Sequence, residues 1–512
     1  MQPFSISSAI MAAIIIASGL ILRLLPHYFA PHGAGVDHWF WKLYIEKYRS
    51  TGEFPPHLPQ FLLDEHQWYP PVFPLLMARL PDAAFERYSH LLAIAIDLVR
   101  MLFVMAAVYF FTGRITSTLA AGVVYAMTPI LITYNIQLNP RGIGALFLDA
   151  VIVLLILLMW HEASPWLWGL VALFSGLVLL THKMSTQLFW FLCLAMGIVS
   201  LDWRLPLLIP VSMASALLLS RGFYVKVLRA HWDIVTFWNK NWPWLTAHPV
   251  KESPLYGTPG FETKTKYYHS GIKGLFRRMQ YLVGFNPWGW SLLLAVCWVQ
   301  IRGSHLTAED LWTVRWLALI ILFVVLTTFL PALRCLGNGY LYVYNGSFPA
   351  ALVMGMIWGG QKHDAVVNVI LSVTLLLCGM GVLYYLATLK KSKTLKVDTS
   401  MNEALERLRG LPEGVVICFP QNWLNVISYK ALKPVLGGGH GYGFKRLEGI
   451  YPRLTRPIQE VIGQYDVSYL FTYEGYLPQT LLQDLPEADV ERFGQYLLYR
   501  FRTQSAQPLQ IF

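Results

Sequence analysis

Apolar residues fall in long blocks separated by short polar stretches over the first 390 positions of the 512-residue chain. Runs long enough to cross roughly 30 Å of hydrocarbon occupy residues 5–26, 89–111, 115–134, 142–160, 165–181, 185–201, 205–222, 288–301, 314–333, 346–360 and 365–388. They predict about eleven membrane helices. The first run differs from a cleaved signal peptide, because its leader MQPFS has no basic residue and its apolar stretch is longer than a usual cleaved core. A retained helix is expected there.

Four segments are too polar to be spans: 27–88, 221–287, the short 334–345, and everything after about 390. Counting spans from an external first loop puts all four on one side of the membrane. The short connections TGRI at 112–115, DWRL at 202–205, 301–315 and 359–364 then fall on the other side. The basic run LKKSKTLK at 389–396 pulls the opposite way, since such residues prefer the cytoplasmic face.

The tail has a different period. MNEALERLRGLP reads as an amphipathic helix, GVVICF as a buried strand, and EVIGQYDVSYLFTY and QYLLYRF as further helix and strand signals. The fold class expected is mainly α. Residues 1–390 form a polytopic transmembrane helical bundle with external loops 27–88 and 221–287, and residues 391–512 form a small C-terminal α/β extramembrane domain. The glycine cluster GGGHGYG, Gly437 to Gly443, lacks the spacing and strand context of a nucleotide fingerprint and reads as a turn.

Composition agrees with the pattern. The chain is 55% hydrophobic and 13% charged, with a mean hydropathy of +0.46, whereas soluble proteins carry about a quarter charged residues. An integral membrane protein follows. The net charge of +11 is spread through the extramembrane segments without a basic stripe, so no nucleic-acid partner is expected. Anionic membrane lipids or a phosphate-bearing lipid substrate account for it better. The cysteines at 193, 297, 335, 378 and 418 have no spacing that suggests a metal site or a disulfide framework.

The candidate chemistry lies in the polar loops. Asp37, in GVDHWFWKLY, sits among Trp39, Phe40, Trp41 and Tyr44, which suit the headgroup interface. A partly desolvated carboxylate there can act as a base, although a solvated acid or a helix cap would look the same. Asp64, Glu65 and His66 follow, just before Tyr69, Pro70 and Pro71. These neighbours can ligate a divalent metal ion or orient a sugar hydroxyl, but three neighbours do not complete a metal site.

Cations lie at the outer ends of later spans: Arg141 in LNPRGIG, His182 and Lys183 in LLTHKMSTQ, Lys273, Arg277 and Arg278 in GIKGLFRRMQ, and Arg334 in PALRCLGNGYLYVYN. Each alone suits a snorkelling anchor, whereas a convergent set would bind phosphate. Within the spans, Asp97 and Arg100 lie three apart and are expected to neutralise one another in a structural role; Asp149 occurs in the fourth run.

An acid soon after the first helix, a second acidic cluster before Pro-Pro, and the stretches LNPRGIG, LLTHKMSTQ and LRCLGNGYLYVYNGSFP together resemble the GT-C superfamily of membrane glycosyltransferases. The likeness is to the branch with protein O-mannosyltransferases and the aminoarabinose transferases of lipid A. The resemblance implies an inverting transfer of a sugar from a polyprenyl-phosphate donor to a hydroxyl of a lipid, glycan or protein acceptor, outside a prokaryotic plasma membrane.

By position Asp37 matches the catalytic base, and Asp64 with Glu65 resembles the second acidic site. Arg141, Lys183 and Arg334 are the candidates for the donor phosphate, with His182 and Tyr342 as hydrogen-bond partners. The aminoarabinose transferases carry a lysine directly before the paired prolines, where this chain has Trp68 and Tyr69. That departure bears on the donor-phosphate contact and on the donor sugar. A transporter or flippase of lipid-linked sugars and a non-catalytic assembly protein are the competing readings; the former more often shows internal repeats, which this sequence lacks.

Overall fold

The structure is a computed structural model, and it describes residues 5–30, 35–62, 67–161, 164–244, 249–257, 271–303, 306–358, 365–391, 397–439 and 442–502. The chain divides into two compact units. One comprises Met1–Gly33, Pro70–Leu228 and Ser270–Ser392, and the other Ala34–Tyr69, Arg229–His269 and Lys393–Phe512.

The first unit is a helical bundle. Every apolar run of the sequence holds helix, and six helices are long and apolar enough among the described residues to cross a membrane. These are Ile6–Phe29, Asp82–Thr112, Arg141–Trp160, Lys183–Ser200, Ala308–Phe329 and Ala365–Lys391. The helices Gly271–Phe285 and Pro287–Ile301 are apolar and long enough only when taken together, and they are bent by 85° at the break between them. The first half of that pair exposes Ile272 and Phe276, as a helix lying in a membrane interface would.

Ile115–Met127, Leu167–Leu179, Arg204–Leu219 and Ser347–Trp358 are shorter. At 1.5 Å per residue a helix of this kind covers only about 20 Å. Polar residues and prolines cut these runs short, as Thr128 and Pro129 do by ending Ile115–Met127 before a second helix, Pro129–Tyr134. The bundle closes around Ala308–Phe329, whose Trp316, Leu317, Ile320 and Val324 are fully buried or nearly so. Small residues let helices approach: a Cβ on Gly176 would lie 2.5 Å from Ser215 Oγ.

Among the described residues, four charged side chains of this interior are at 0% exposure. Arg23 pairs with Asp97 through its Nε and also donates to the carbonyls of Gly19 and Ala126 at 3.0 and 3.2 Å. Arg100 Nε donates to Asp149 Oδ2 at 2.8 Å, and Tyr125 Oη donates to Asp97 Oδ1 at 2.7 Å. The expected pair of Asp97 with Arg100 is the weakest link, at 3.7 Å. Asp97 and Arg100 do not simply neutralise each other: they join two arginines and two aspartates from three helices into one network, in which each charge has a better partner on another helix.

The second unit collects three of the polar segments. The helix Val36–Thr51 buries Phe40, Trp41, Tyr44 and Ile45 along one side and ends at Gly52, whose left-handed φ of 68° suits a residue without Cβ. A four-stranded sheet has the order β1 (Val415–Cys418), β2 (Val467–Tyr473), β4 (Tyr496–Phe501), β3 (Ala488–Phe493), with β1 parallel to β2 and the other pairs antiparallel. The predicted helix and strands of the tail are present, the first as Thr399–Gly410.

The first loop joins the sheet edge, since Phe61 and Val416 both bridge Val435. From the middle segment, Val250 and Tyr256 enter the core beside Leu454 and Ile458. The Tyr256 hydroxyl donates to Asp484 and accepts from Ile458 N at 2.7 Å; burial, helped by Asp484, pushes the phenol up to about 12. The stretch 221–287, expected as an external loop, is helical over Tyr224–Asn241 and Gly271–Phe285.

The ionic network makes a direct prediction. Asp97→Leu strands Arg23 in the apolar interior and should cost about 3–5 kcal/mol, seen as a lower unfolding midpoint in lipid nanodiscs. Adding Arg23→Met should recover most of the loss; a double variant as unstable as the single one would contradict the pairing.

Candidate active site

Asp37 belongs to the second unit and the candidate phosphate ligands to the first. Asp37 occupies the first turn of Val36–Thr51, where a carboxylate meets the positive end of the helix. It is half-buried. The helix is held by ring contacts that bracket the second acidic cluster: Phe40 to Phe61 at 5.8 Å and Trp41 to Tyr69 at 4.8 Å.

Asp64, Glu65 and His66 themselves lie outside the described residues. Their flanks are fixed. Leu62 N donates to Val435 O at 3.3 Å on one side, and on the other Trp68 stacks on Tyr442 at 4.8 Å.

The glycine cluster performs the turn that the sequence suggested. Gly437, Gly438 and Gly439 have φ of 107°, 89° and 76°, and a Cβ on Gly439 would lie 2.8 Å from Gln67 Nε2. The backbone N–H groups of Gly443 and Phe444 donate to Asp233 Oδ2 at 3.0 and 2.9 Å. An internal carboxylate thus takes the position a phosphate would need. Buried Asn425 links this turn to Asp37: its Nδ2 donates to Val36 O at 3.0 Å, and its Oδ1 accepts from Gly439 N at 3.4 Å.

In the first unit Arg141 opens the helix Arg141–Trp160 directly after Pro140. Its guanidinium lies 4.7 Å from the ring centre of Tyr134 and 5.9 Å from that of Tyr344. Arg141 is 8% exposed, and its Nη1 is buried with no hydrogen-bond partner among the described residues. His182 and Lys183 form the N-terminus of Lys183–Ser200, both buried, with His182 Nδ1 3.2 Å from Ser185 Oγ.

The two helices meet at Gly144, where a Cβ would be 3.0 Å from His182 Cβ. A side chain larger than hydrogen would separate them. Arg141 Nη2 reaches Met184 Sδ at 3.9 Å, and the Tyr342 hydroxyl donates to Gln187 on the same helix. The structure therefore brings Arg141, His182, Lys183 and Tyr342 around one helix N-terminus, a natural anion site.

Arg334 has a different setting. Its Nε and Nη2 donate to the carbonyls of Thr328 and Phe329 at 3.2 and 3.3 Å, which caps the C-terminal end of Ala308–Phe329. Arg278 packs on the Phe329 ring at 5.4 Å. Lys273 is exposed.

Sequence reasoning missed Tyr344 and Asn425. Tyr344 lies between two guanidiniums, 5.0 Å from Arg100 and 5.9 Å from Arg141. Nothing in its local pattern separates it from Tyr340 and Tyr342. Asn425 carries no local signal either, because its partners are hundreds of residues away or across a turn. Among the described residues no group of three or more His, Cys, Asp or Glu side chains is placed to hold a metal ion.

This architecture is the GT-C fold, a polytopic helical bundle with a small C-terminal α/β domain. Among solved structures, the chain is similar to ArnT from Cupriavidus metallidurans in the apo state, with 12% identity, a TM-score of 0.59, and coverage of 97% of this chain and 99% of that one. The same enzyme bound to undecaprenyl phosphate matches at 11% identity, with the same score and coverage. An oligosaccharyltransferase from Archaeoglobus fulgidus in complex with Zn and sulfate matches at 13% identity and a TM-score of 0.54, over 90% of this chain and 68% of that one. No family model and no curated protein matches the sequence.

The tie at Asn425 can be tested. Asn425→Leu removes the acceptor of Gly439 N and a donor to Val36 O, and should destabilise the second unit by about 1–3 kcal/mol. Hydrogen exchange should quicken at residues 36–40 and 437–439; unchanged exchange there would remove Asn425 from the account.

Proposed function

We propose that this protein is an inverting membrane glycosyltransferase that moves a sugar from a polyprenyl-phosphate donor to an acceptor hydroxyl. The observation that carries this reading is the buried, unpartnered Nη1 of Arg141 beside the N-terminus of Lys183–Ser200. A buried guanidinium nitrogen without an acceptor is costly. A lipid phosphate supplies that acceptor, and the helix end and the Lys183 ammonium add to its stabilisation. The reading is supported by the similar structures described with undecaprenyl phosphate and with dolichol-phosphate.

In the reaction, Asp37 takes the proton of the acceptor hydroxyl as its oxygen attacks the anomeric carbon. The bond from that carbon to the phosphate oxygen breaks, its electron pair leaves with the phosphate, and the anomeric centre inverts. The leaving group needs charge stabilisation rather than protonation, which is the task of Arg141 and Lys183, with His182 and Tyr342 as hydrogen-bond partners. Arg334 contributes positive charge while it caps its helix.

Asp64 and Glu65 serve as the second acidic site, and with His66 and further ligands from elsewhere in the chain they would hold a divalent metal ion, which would supply Lewis-acid charge there. Residues 1–390 act as the transferase domain, with 391–512 as an external domain, and the active site faces outward from a prokaryotic plasma membrane. The assembly of three polar segments into one unit favours a common side for them.

The test uses purified protein in lipid with radiolabelled polyprenyl-phosphate sugars. Asp37→Asn should bind donor as wild type does but lower kcat by about 10²–10⁴-fold. Arg141→Ala should weaken donor binding by about tenfold or more, as loss of a charge-assisted hydrogen bond does. Turnover that survives Asp37→Asn would overturn the base assignment, and donor transport without cleavage would favour a flippase. Chelation with EDTA should lower turnover and manganese restore it, whereas unchanged turnover would remove the metal.

A further inference from the structure

The second unit contains a cleft of about 390 Å³ between the helices Val36–Thr51, Thr399–Gly410 and Leu424–Lys430, within the range of small-molecule sites. Its lining includes two carboxylates, Glu46 and Glu406, two cations, Arg409 and Lys430, the Asn402 amide and the Tyr429 hydroxyl. Tyr429 Oη donates to Glu46 Oε1 at 2.8 Å, and Lys430 Nζ donates to Asn402 Oδ1.

Tyr429 supplies an aromatic ring to the lining, and Trp39 packs behind it. The rings of Trp39 and Tyr429 lie 5.5 Å apart at 34°, with the Lys430 ammonium 5.1 Å from the Trp39 ring centre and that of Lys42 5.0 Å from the Tyr429 ring centre. Trp39, Lys42 and Glu46 share one helix face by their spacing of three and four residues. Burial, with repulsion from Lys42, lowers the proton affinity of Lys430, as expected for a group enclosed by its neighbours.

We infer that this cleft binds a neutral, hydroxyl-rich saccharide segment of the acceptor. The name acceptor rests on the glycosyltransferase reading; the binding does not. Mixed charges disfavour both a simple anion, which Glu46 and Glu406 repel, and a polycation, which Arg409, Lys430 and the neighbouring Lys42 repel. Sugar hydroxyls donate to Glu46 and Glu406 and accept from Lys430, Arg409 and Asn402, so one uncharged ligand satisfies both sets. The sugar ring rests against the Tyr429 ring, the aromatic side chain that lines the cleft.

Glu46 stands nine residues beyond Asp37 on the same helix, about 13.5 Å along its axis. A single sugar does not span that distance. The cleft therefore holds a part of a glycan chain remote from the reacting hydroxyl, where binding energy positions the reacting end.

The experiment is calorimetric titration of the full chain in nanodiscs, without donor, with mannotriose, cellotriose and chitotriose, and with inorganic phosphate and an acidic peptide as charged comparisons. At least one trisaccharide should bind, and Glu406→Gln and Asn402→Ala should each weaken it by up to about tenfold. Tyr429→Phe, which keeps the ring, should weaken it less than Tyr429→Ala, and the thermal transition of each variant reports its folding. Binding by none of the sugars, equal binding by folded variants, or preference for phosphate or the acidic peptide would each overturn the proposal. Because no donor is present, a failure of the transferase reading leaves this result standing.

Discussion

Charge buried in hydrocarbon must be matched by opposite charge, and in this protein that requirement organises the bundle. Arg23, Asp97, Arg100 and Asp149 sit at 0% exposure on three helices, and the two short ion pairs, Arg23 with Asp97 and Arg100 with Asp149, each join two helices. The network ties Ile6–Phe29, Asp82–Thr112 and Arg141–Trp160 together. It also reaches the candidate phosphate site, since Arg100 and Arg141 both lie within 6 Å of the Tyr344 ring centre. A helix shift that broke the pairs would also move Arg141.

The second unit meets a different constraint. Its sheet is small, and its buried apolar surface comes from segments far apart in sequence: Phe61 from the first loop, Val250 and Tyr256 from the middle segment, and Leu470 and Phe501 from the tail. The chain passes between the two units five times. Asp37 gains a fixed setting in this way, because its helix is clamped by Phe61, Tyr69 and Asn425 rather than left as a free loop. A general base benefits from such fixed placement.

Much of this was legible in the sequence. Apolar runs gave the helices because hydrocarbon solvation acts on each segment locally, and strand alternation gave three of the four strands; β3, in ADVERF, is too charged to carry that signal. Arg141, His182 and Lys183 were expected, with Arg334 and Tyr342, as donor-phosphate candidates at helix ends, on the family resemblance rather than on any local pattern. Their convergence depends on Gly144, whose role is visible only once the helices pack. The pairings of Arg23 and of Asp149, and the placement of Arg334 as a helix cap rather than an open cation, depend on contacts between distant segments, which no local pattern encodes.

The central claim is glycosyl transfer by single displacement at a lipid-phosphate donor. Its most direct measurement is the anomeric configuration of the first product, read by NMR from a polyprenyl-phosphate sugar of known configuration as the lipid phosphate is released. The account predicts inversion, with one equivalent of polyprenyl phosphate freed per sugar transferred. Retention of configuration would contradict it, because a covalent intermediate would then be required and Asp37 would not be acting as a base.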